Sequence, residues 1–158
     1  MEIRPVRSAD APAVTALLVE LGYPDNTEAG VRRRLARWSG TEHGAAFVAE
    51  SGGRVVGVVA VAAIPLLERE GALGRIVALV VDETRRGSGV GRGLVAAAEA
   101  AARELGCVVM EVTSSRHRTG AHAFYRALGY EDWCDQKARF VRELGDRPAA
   151  SPVPDPTP

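Results

Sequence analysis

The stretch Arg86-Gly87-Ser88-Gly89-Val90-Gly91 constrains this chain more than any other. It follows a near-continuous apolar run, Arg75 to Val81, which predicts a central strand buried on both faces. It opens a helix predicted from about Gly89 to Leu105, whose Val90, Leu94, Val95, Ala98, Ala101, Ala102 and Leu105 keep one face. A glycine-rich turn between a buried strand and a helix start is suited to capturing an anion. The helix N-terminus offers unpaired N–H groups and partial positive charge. Glycines let the backbone approach a phosphate with no Cβ in the way. Arg85, Arg86 and Arg92 add fixed charge suited to bidentate contact. The loop therefore predicts a pyrophosphate ligand.

Two common nucleotide fingerprints fail on these residues. A P-loop requires a lysine, and this loop has none. A Gly-x-Gly-x-x-Gly fingerprint places Arg92 at its last position when counted from Gly87, and Leu94 when counted from Gly89. A third pattern, Arg/Gln-x-x-Gly-x-Gly/Ala, is met by Arg86, Gly89 and Gly91.

The rest of the chain supplies the frame. Glu2 to Arg7 predicts a short strand, and Ser8 or Asp10 is placed to cap the helix that follows. Pro12 falls in that helix's first turn, Val14, Leu17, Leu18 and Leu21 recur at helical spacing, and Gly22 ends the run. A second helix spans about Thr27 to Trp38, with Arg32, Arg33, Arg34 and Arg37 mostly on its wet side. Ala45 to Glu50 and Arg54 to Pro65 read as a hairpin around Ser51-Gly52-Gly53, and Leu66 to Gly74 as a loop. After the long helix, Val108 to Thr113 predicts another buried strand and Ala121 to Leu128 a short helix. Strands at Tyr130 to Trp133 and Lys137 to Glu143 follow. The order βααβββαβαββ implies an α/β fold with a mixed sheet, a right-handed parallel crossover in the middle and antiparallel hairpins around it. Residues 1–145 are expected to form one domain, and 146–158, rich in proline and small residues, a disordered tail.

Two blocks carry a family resemblance. LVVDETRRGSGVGRGLV resembles the cofactor motif of the Gcn5-related N-acetyltransferases (GNAT), and RTGAHAFYRALGYED resembles that family's second motif. The opening IRPVRSADAPAVTALLVELG resembles its first strand and helix, so the likeness spans roughly residues 2–143. The resemblance implies a mostly antiparallel sheet of seven strands flanked by about four helices and splayed between the fourth and fifth strands. It implies acetyl-CoA as co-substrate, a primary amine as acceptor and direct attack of that amine on the thioester.

Residue roles follow from the same resemblance. The backbone of Leu79, Val80 and Val81 is expected to pair with the pantetheine arm and to polarise the acetyl carbonyl. Arg86, Gly87, Ser88, Gly89, Val90, Gly91 and Arg92 are expected around the pyrophosphate, and Tyr125 as the acid that protonates the departing thiolate. Many members carry asparagine where this chain has Arg118, which takes that position on the pantetheine. The glutamate base often found on the fourth strand is missing here, since Ile76, Val77 and Ala78 are apolar. Glu111 on the next strand is the replacement, with water as the alternative. Tyr23 and Asp25, after the first helix, and Ser114, after the fifth strand, are candidates for acceptor contact.

Other classes find less support. With 20 basic and 20 acidic residues, the chain has no charge excess to hold nucleic acid or an anionic membrane. Cys107 and Cys134 form no CxxC pair, and His117 and His122, five apart, lack the spacing of a helical metal pair. No metal is expected. The opening MEIRPVRSADAP has no apolar core of a signal peptide, which predicts a cytoplasmic protein. A homodimer through Arg54–Pro65 or the C-terminal strands is a further expectation, as is a non-catalytic acyl-CoA sensor as the alternative to an enzyme. Among enzymes, small amines of the aminoglycoside or polyamine type and protein N-termini or lysines remain open as acceptors.

Overall fold

Val55, Val56, Val58, Val59 and Val61 stiffen one long strand, and the sheet is built outward from it on both sides. The computed structural model describes residues 1–134 and Arg142, which fall in two units divided between Thr113 and Ser114. The first unit holds a sheet of five strands in sequence order: β1 (Glu2–Pro5), β2 (Gly44–Ser51), β3 (Arg54–Pro65), β4 (Ala72–Val81) and β5 (Cys107–Val112). The pairs β1–β2, β2–β3 and β3–β4 are antiparallel, and β4–β5 is parallel. Helices α1 (Ala11–Glu20) and α2 (Glu28–Ser39) join β1 to β2, and α3 (Val90–Glu104) makes the crossover from β4 to β5. The second unit contains α4 (Thr119–Ala127). The mixed α/β architecture and the crossover are those the sequence predicts.

Alternation divides the core of the first unit into two layers. Val14, Leu17, Val31 and Leu35 from α1 and α2 pack on Ala46, Val48, Val58, Ala60 and Val80 of the sheet. On the other face Leu94, Val95 and Ala98 of α3 are fully buried. Gly57 lets α3 lie close: a Cβ there would stand 2.9 Å from Leu94 Cδ1 and 3.1 Å from the Val80 carbonyl. Burial of these aliphatic side chains, about 1.5–3 kcal/mol each, is the main stabilising term.

Asp10 is the one buried charge among the described residues, with 7% of its surface exposed, and it does not cap α1 as expected. Ser8–Asp10 wind into a short 3-10 turn, and the Asp10 carboxylate turns back to β1. Arg4 Nη1 and Nη2 donate to it at 2.9 and 2.8 Å, the Arg7 N–H donates at 2.7 Å, and Arg4 Nε reaches Glu50 at 2.9 Å. A charge that deep is tolerated because it is fully paired. The α2 start follows expectation, with Thr27 Oγ1 accepting from the Gly30 N–H at 3.2 Å.

Three expectations are corrected. β4 begins at Ala72 rather than Arg75, because Ala72–Gly74 pair with both β3 and β5. β3 lies between β2 and β4, so both of its edges are occupied and it cannot pair edge to edge with a second copy. Tyr130–Trp133 form no strand. Local polar bonds take their place: the Asp132 carboxylate accepts from the Cys134 N–H at 3.0 Å, and Trp133 Nε1 donates to Glu131 at 3.1 Å. The sheet has five strands among the described residues, and one of the seven expected falls outside them. The predicted strand 137–143, Arg142 apart, and the tail 146–158 lie outside the described residues. No helix among the described residues is long and apolar enough to cross a membrane.

Candidate functional site

The parallel pairing of β4 with β5 runs only from Ala72 to Ile76, which stands opposite Val112. From Ala78 to Val81, β4 pairs within the sheet with β3 alone among the described residues. The two strands part at a β-bulge: Ile76 faces Val61 and Ala78 faces Ala60, so Val77 is the extra residue and is half exposed. Bulges bend a strand and re-aim the residues beyond them. The Asp82 N–H donates to the Val56 carbonyl at 2.9 Å, so Asp82 and, two residues back, Val80 turn their backbone groups toward β3. By the same alternation Leu79 and Val81 turn theirs to the open edge. The Val81 carbonyl indeed accepts from Arg86 Nε at 3.3 Å. Of the three predicted backbone contacts, Leu79 and Val81 thus present N–H and C=O outward, while the Val80 side chain is buried in the core.

The loop comes directly after this edge. Asp82 Oδ1 accepts from the Thr84 N–H and hydroxyl at 2.9 and 2.6 Å, fixing a 3-10 turn at Glu83–Arg85. These bonds hold the Asp82 carboxyl below its ordinary pKa. Gly87 and Gly89 then take φ +78° and +87°, values open to glycine at little cost, and a Cβ at either would meet nothing within 4 Å. The first intrahelical bond of α3 runs from the Gly93 N–H to the Gly89 carbonyl at 3.0 Å. The N–H groups of Gly89, Val90, Gly91 and Arg92 precede it and have no helical partner. No acidic residue lies in the first turn of α3, and residues 83–89 and Arg92 are exposed. Buried Val90 anchors the helix start, so its role is in the core rather than at the surface. Ser88 Oγ donates to the Arg85 carbonyl. The result is an exposed, positively polarised cradle at the end of the open β4 edge.

Sequence reasoning missed the partner of Arg86. Arg86 Nη2 is ion-paired with Glu20, the last residue of α1, across 66 positions of chain. No local pattern carries that pairing. Between α1 and α2, Tyr23 and Asp25 are exposed, Asn26 Nδ2 donates to the Tyr23 carbonyl at 2.9 Å, and Arg34 Nη2 donates to Asn26 Oδ1. Glu111 on β5 stands opposite Arg75 on β4 and is ion-paired with it. An open depression of about 370 Å³ between α1 and the β2–β3 turn is lined by Arg4, Asp10, Glu50 and Arg54, and none of the loop residues lines it.

In the second unit, Arg118 stands at the N-terminal boundary of α4. Tyr125, half-buried on the same helix, stacks edge-on against Phe124 and Tyr130, with ring centroids 5.2 and 5.8 Å away. Burial pushes the Tyr125 phenol pKa up, and Arg118 opposes the shift. Ser114 is half-buried, and His122 Nε2 donates to the Ser115 carbonyl at 3.0 Å. In the first unit, burial also raises the pKa of the Cys107 thiol, which makes it a poor nucleophile. Among the described residues no group of three or more His, Cys, Asp or Glu is placed to hold a metal.

The comparisons with known proteins agree with this geometry. The acetyltransferase (GNAT) family model matches residues 12–130. No curated protein matches the chain by sequence. Among solved structures, a transcriptional regulator from Bacillus halodurans C-125 is similar at TM-score 0.79 and 22% identity, covering 90% of this chain and 99% of that one. A putative acetyltransferase from Agrobacterium tumefaciens str. C58 is similar at TM-score 0.77 and 26% identity, covering 91% and 100%. The aminoglycoside N-acetyltransferase AAC(6')-Iy in complex with CoA is similar at TM-score 0.77 and 20% identity, covering 90% and 93%.

Proposed function

The chain belongs to the GNAT acetyltransferase family, and we propose that it moves an acetyl group from acetyl-CoA to a primary amine by direct attack. The observation that carries this reading is the continuity of two features: the open edge at Leu79 and Val81, and the glycine cradle at the start of α3. The spacing suits one elongated ligand with an amide-bearing arm and a pyrophosphate. The arm's amides extend the sheet along β4. The N–H groups of Gly89 to Arg92, with Arg86 and Arg92, hold the phosphates. A Leu79 or Val81 N–H donates to the thioester oxygen as charge builds there. Tyr125, a phenol protonated at neutral pH, gives its proton to the departing sulfur. Arg118 takes its family position on the pantetheine.

The base is where this reading departs from a glutamate mechanism. Glu111 is ion-paired with Arg75, so its carboxylate is shared with a cation rather than reserved for the amine. Water deprotonates the amine instead. Tyr23, Asp25 and Ser114 are the proposed acceptor contacts. The similarity to an aminoglycoside N-acetyltransferase favours a small amine over a protein N-terminus or lysine. A cytoplasmic setting, and a homodimer that spares β3, belong to the same proposal. The second reading is a non-catalytic acyl-CoA sensor, favoured by the similarity to a transcriptional regulator. Thiol release from acetyl-CoA, followed across aminoglycosides, polyamines and lysine peptides, separates the two. Amine-dependent release supports the enzyme. Tight acetyl-CoA binding with no release above the solvent rate from any amine supports the sensor.

A further inference from the structure

We infer that Glu20 is a counter-ion that competes with the pyrophosphate for Arg86. It holds Arg86 in the free protein and gives it up when a pyrophosphate arrives. This inference rests on the acetyl-CoA reading of the loop.

Three observations carry it. Glu20 is the last residue of α1, where the helix dipole disfavours a carboxylate, and no basic residue in that last turn offsets it. A residue at odds with its own helix points to a partner elsewhere. That partner is Arg86, with 56% of its side chain exposed against 30% for Glu20. An ion pair this open to water is weak and readily exchanged. Finally, Arg86 is held on one side only. Its Nε donates to the Val81 carbonyl and its Nη2 to Glu20, which leaves Nη1 uncommitted among the described residues.

The remaining acids of the loop do not compete for the same guanidinium. Asp82 is spent on Thr84, and Glu83 meets Arg86 through the backbone, its carbonyl accepting from the Arg86 N–H at 3.3 Å, with no bond from its carboxylate to the guanidinium among the described residues. Glu20 therefore supplies the only carboxylate bonded to Arg86 among the described residues. A bound pyrophosphate carries more charge than one carboxylate and is backed by the N–H groups at the start of α3. It takes Arg86, and the Glu20 carboxylate is left unpaired at the end of α1. Glu20 thereby sets a threshold that a weak or singly charged anion does not cross.

The test is calorimetric titration of CoA, with S-acetylpantetheine, which lacks the pyrophosphate, as the control ligand. Glu20→Gln keeps the shape and the acceptor oxygen and removes the charge. It should tighten CoA about three- to fivefold, the upper part of the range of about 1.4- to fivefold that an exposed ion pair spans as an equilibrium ratio. It should leave S-acetylpantetheine unchanged. In an Arg86→Ala background, Glu20→Gln should change CoA affinity by less than about twofold, because the pair it disrupts is already gone. Unchanged or weaker CoA binding by Glu20→Gln would overturn the inference. So would an equal gain without Arg86, or an equal gain for S-acetylpantetheine. If the wild-type protein binds CoA no better than S-acetylpantetheine, the loop reading itself falls, and that result is distinct from the others.

Discussion

Replacing Gly89 by alanine tests the cradle with a single methyl group. Gly89 sits at φ +87°, ψ −5°, ahead of α3, and a Cβ there meets nothing within 4 Å. The cost to the free protein is therefore backbone strain alone, about 1–2 kcal/mol for a non-glycine residue in the left-handed region. For a chain of this length that lowers Tm by roughly 2–8 °C. The same methyl projects into the space a phosphate must enter, so the second effect falls on the ligand. At a concentration of 100 times Kd, acetyl-CoA stabilises the wild-type fold by about 2.7 kcal/mol. A variant with about 30-fold weaker binding would retain only about 0.9 kcal/mol under the same conditions. Thermal unfolding with and without acetyl-CoA reads both numbers. Gly106→Ala is the control: it carries similar strain at φ +75°, with nothing within 4 Å, at the opposite end of α3. It should lower Tm by a similar amount and keep the full acetyl-CoA shift. If Gly89→Ala keeps the full shift as well, the loop does not hold the phosphates, and the reasoning from positive φ and open space is wrong.

Three other outcomes are expected from the same geometry. Tyr125→Phe should lower kcat about 10- to 100-fold while changing acetyl-CoA affinity by less than about twofold; because burial raises the phenol's pKa, the wild-type alkaline limb should lie above the ordinary tyrosine range and disappear in the variant, and an unchanged kcat at every pH would remove the tyrosine from the chemistry. Asp10→Asn should destabilise the fold by about 2–4 kcal/mol, since Arg4 loses the charge of a doubly bonded partner. Burial works to raise the Asp10 pKa, but the bonds from Arg4 and the Arg7 N–H outweigh it and the net shift is downward. Asp10 therefore stabilises the protein fully above the unfolded carboxylate pKa of about 3.9, and that stability is lost as pH falls through the lower folded value; urea midpoints for Asp10→Asn and wild type should converge on acidification, and parallel curves down to pH about 2 would contradict the assignment. Glu111→Gln should leave kcat within about threefold, and a loss beyond about 30-fold would restore Glu111 as the base.

The features legible in the sequence were those set by local chemistry. The glycines of the cradle, the periodicity of α3, the Thr27 boundary of α2 and the limits of β3 are each dictated by residues within a few positions. The features that were not legible depend on pairs distant in sequence. Glu20 and Arg86 meet only because the end of α1 and the loop after β4 adjoin in the fold. The Val77 bulge is a property of register between two strands, and an apolar run looks the same with or without it. Gly74 reads as a breaker in sequence, yet it lies within β4 because it pairs with Ala63 on β3 and Met110 on β5, and a side chain there would collide with Met110 Sδ. Asp10 looks like a helix cap, but a half-buried arginine on β1 that bonds it twice is a stronger partner than a row of N–H groups. Glu111 was legible as a carboxylate near the right strand end, whereas its pairing with Arg75 required the parallel register.

The central claim is that the cradle and the open β4 edge together hold acetyl-CoA. Calorimetric titration of the wild-type protein with acetyl-CoA, ATP and NAD tests it most directly. The account predicts saturable one-site binding of acetyl-CoA that is at least about tenfold tighter than either nucleotide, a difference of about 1.4 kcal/mol. Equal affinity for all three would reduce the loop to a general anion site, and no binding of acetyl-CoA would contradict the account outright.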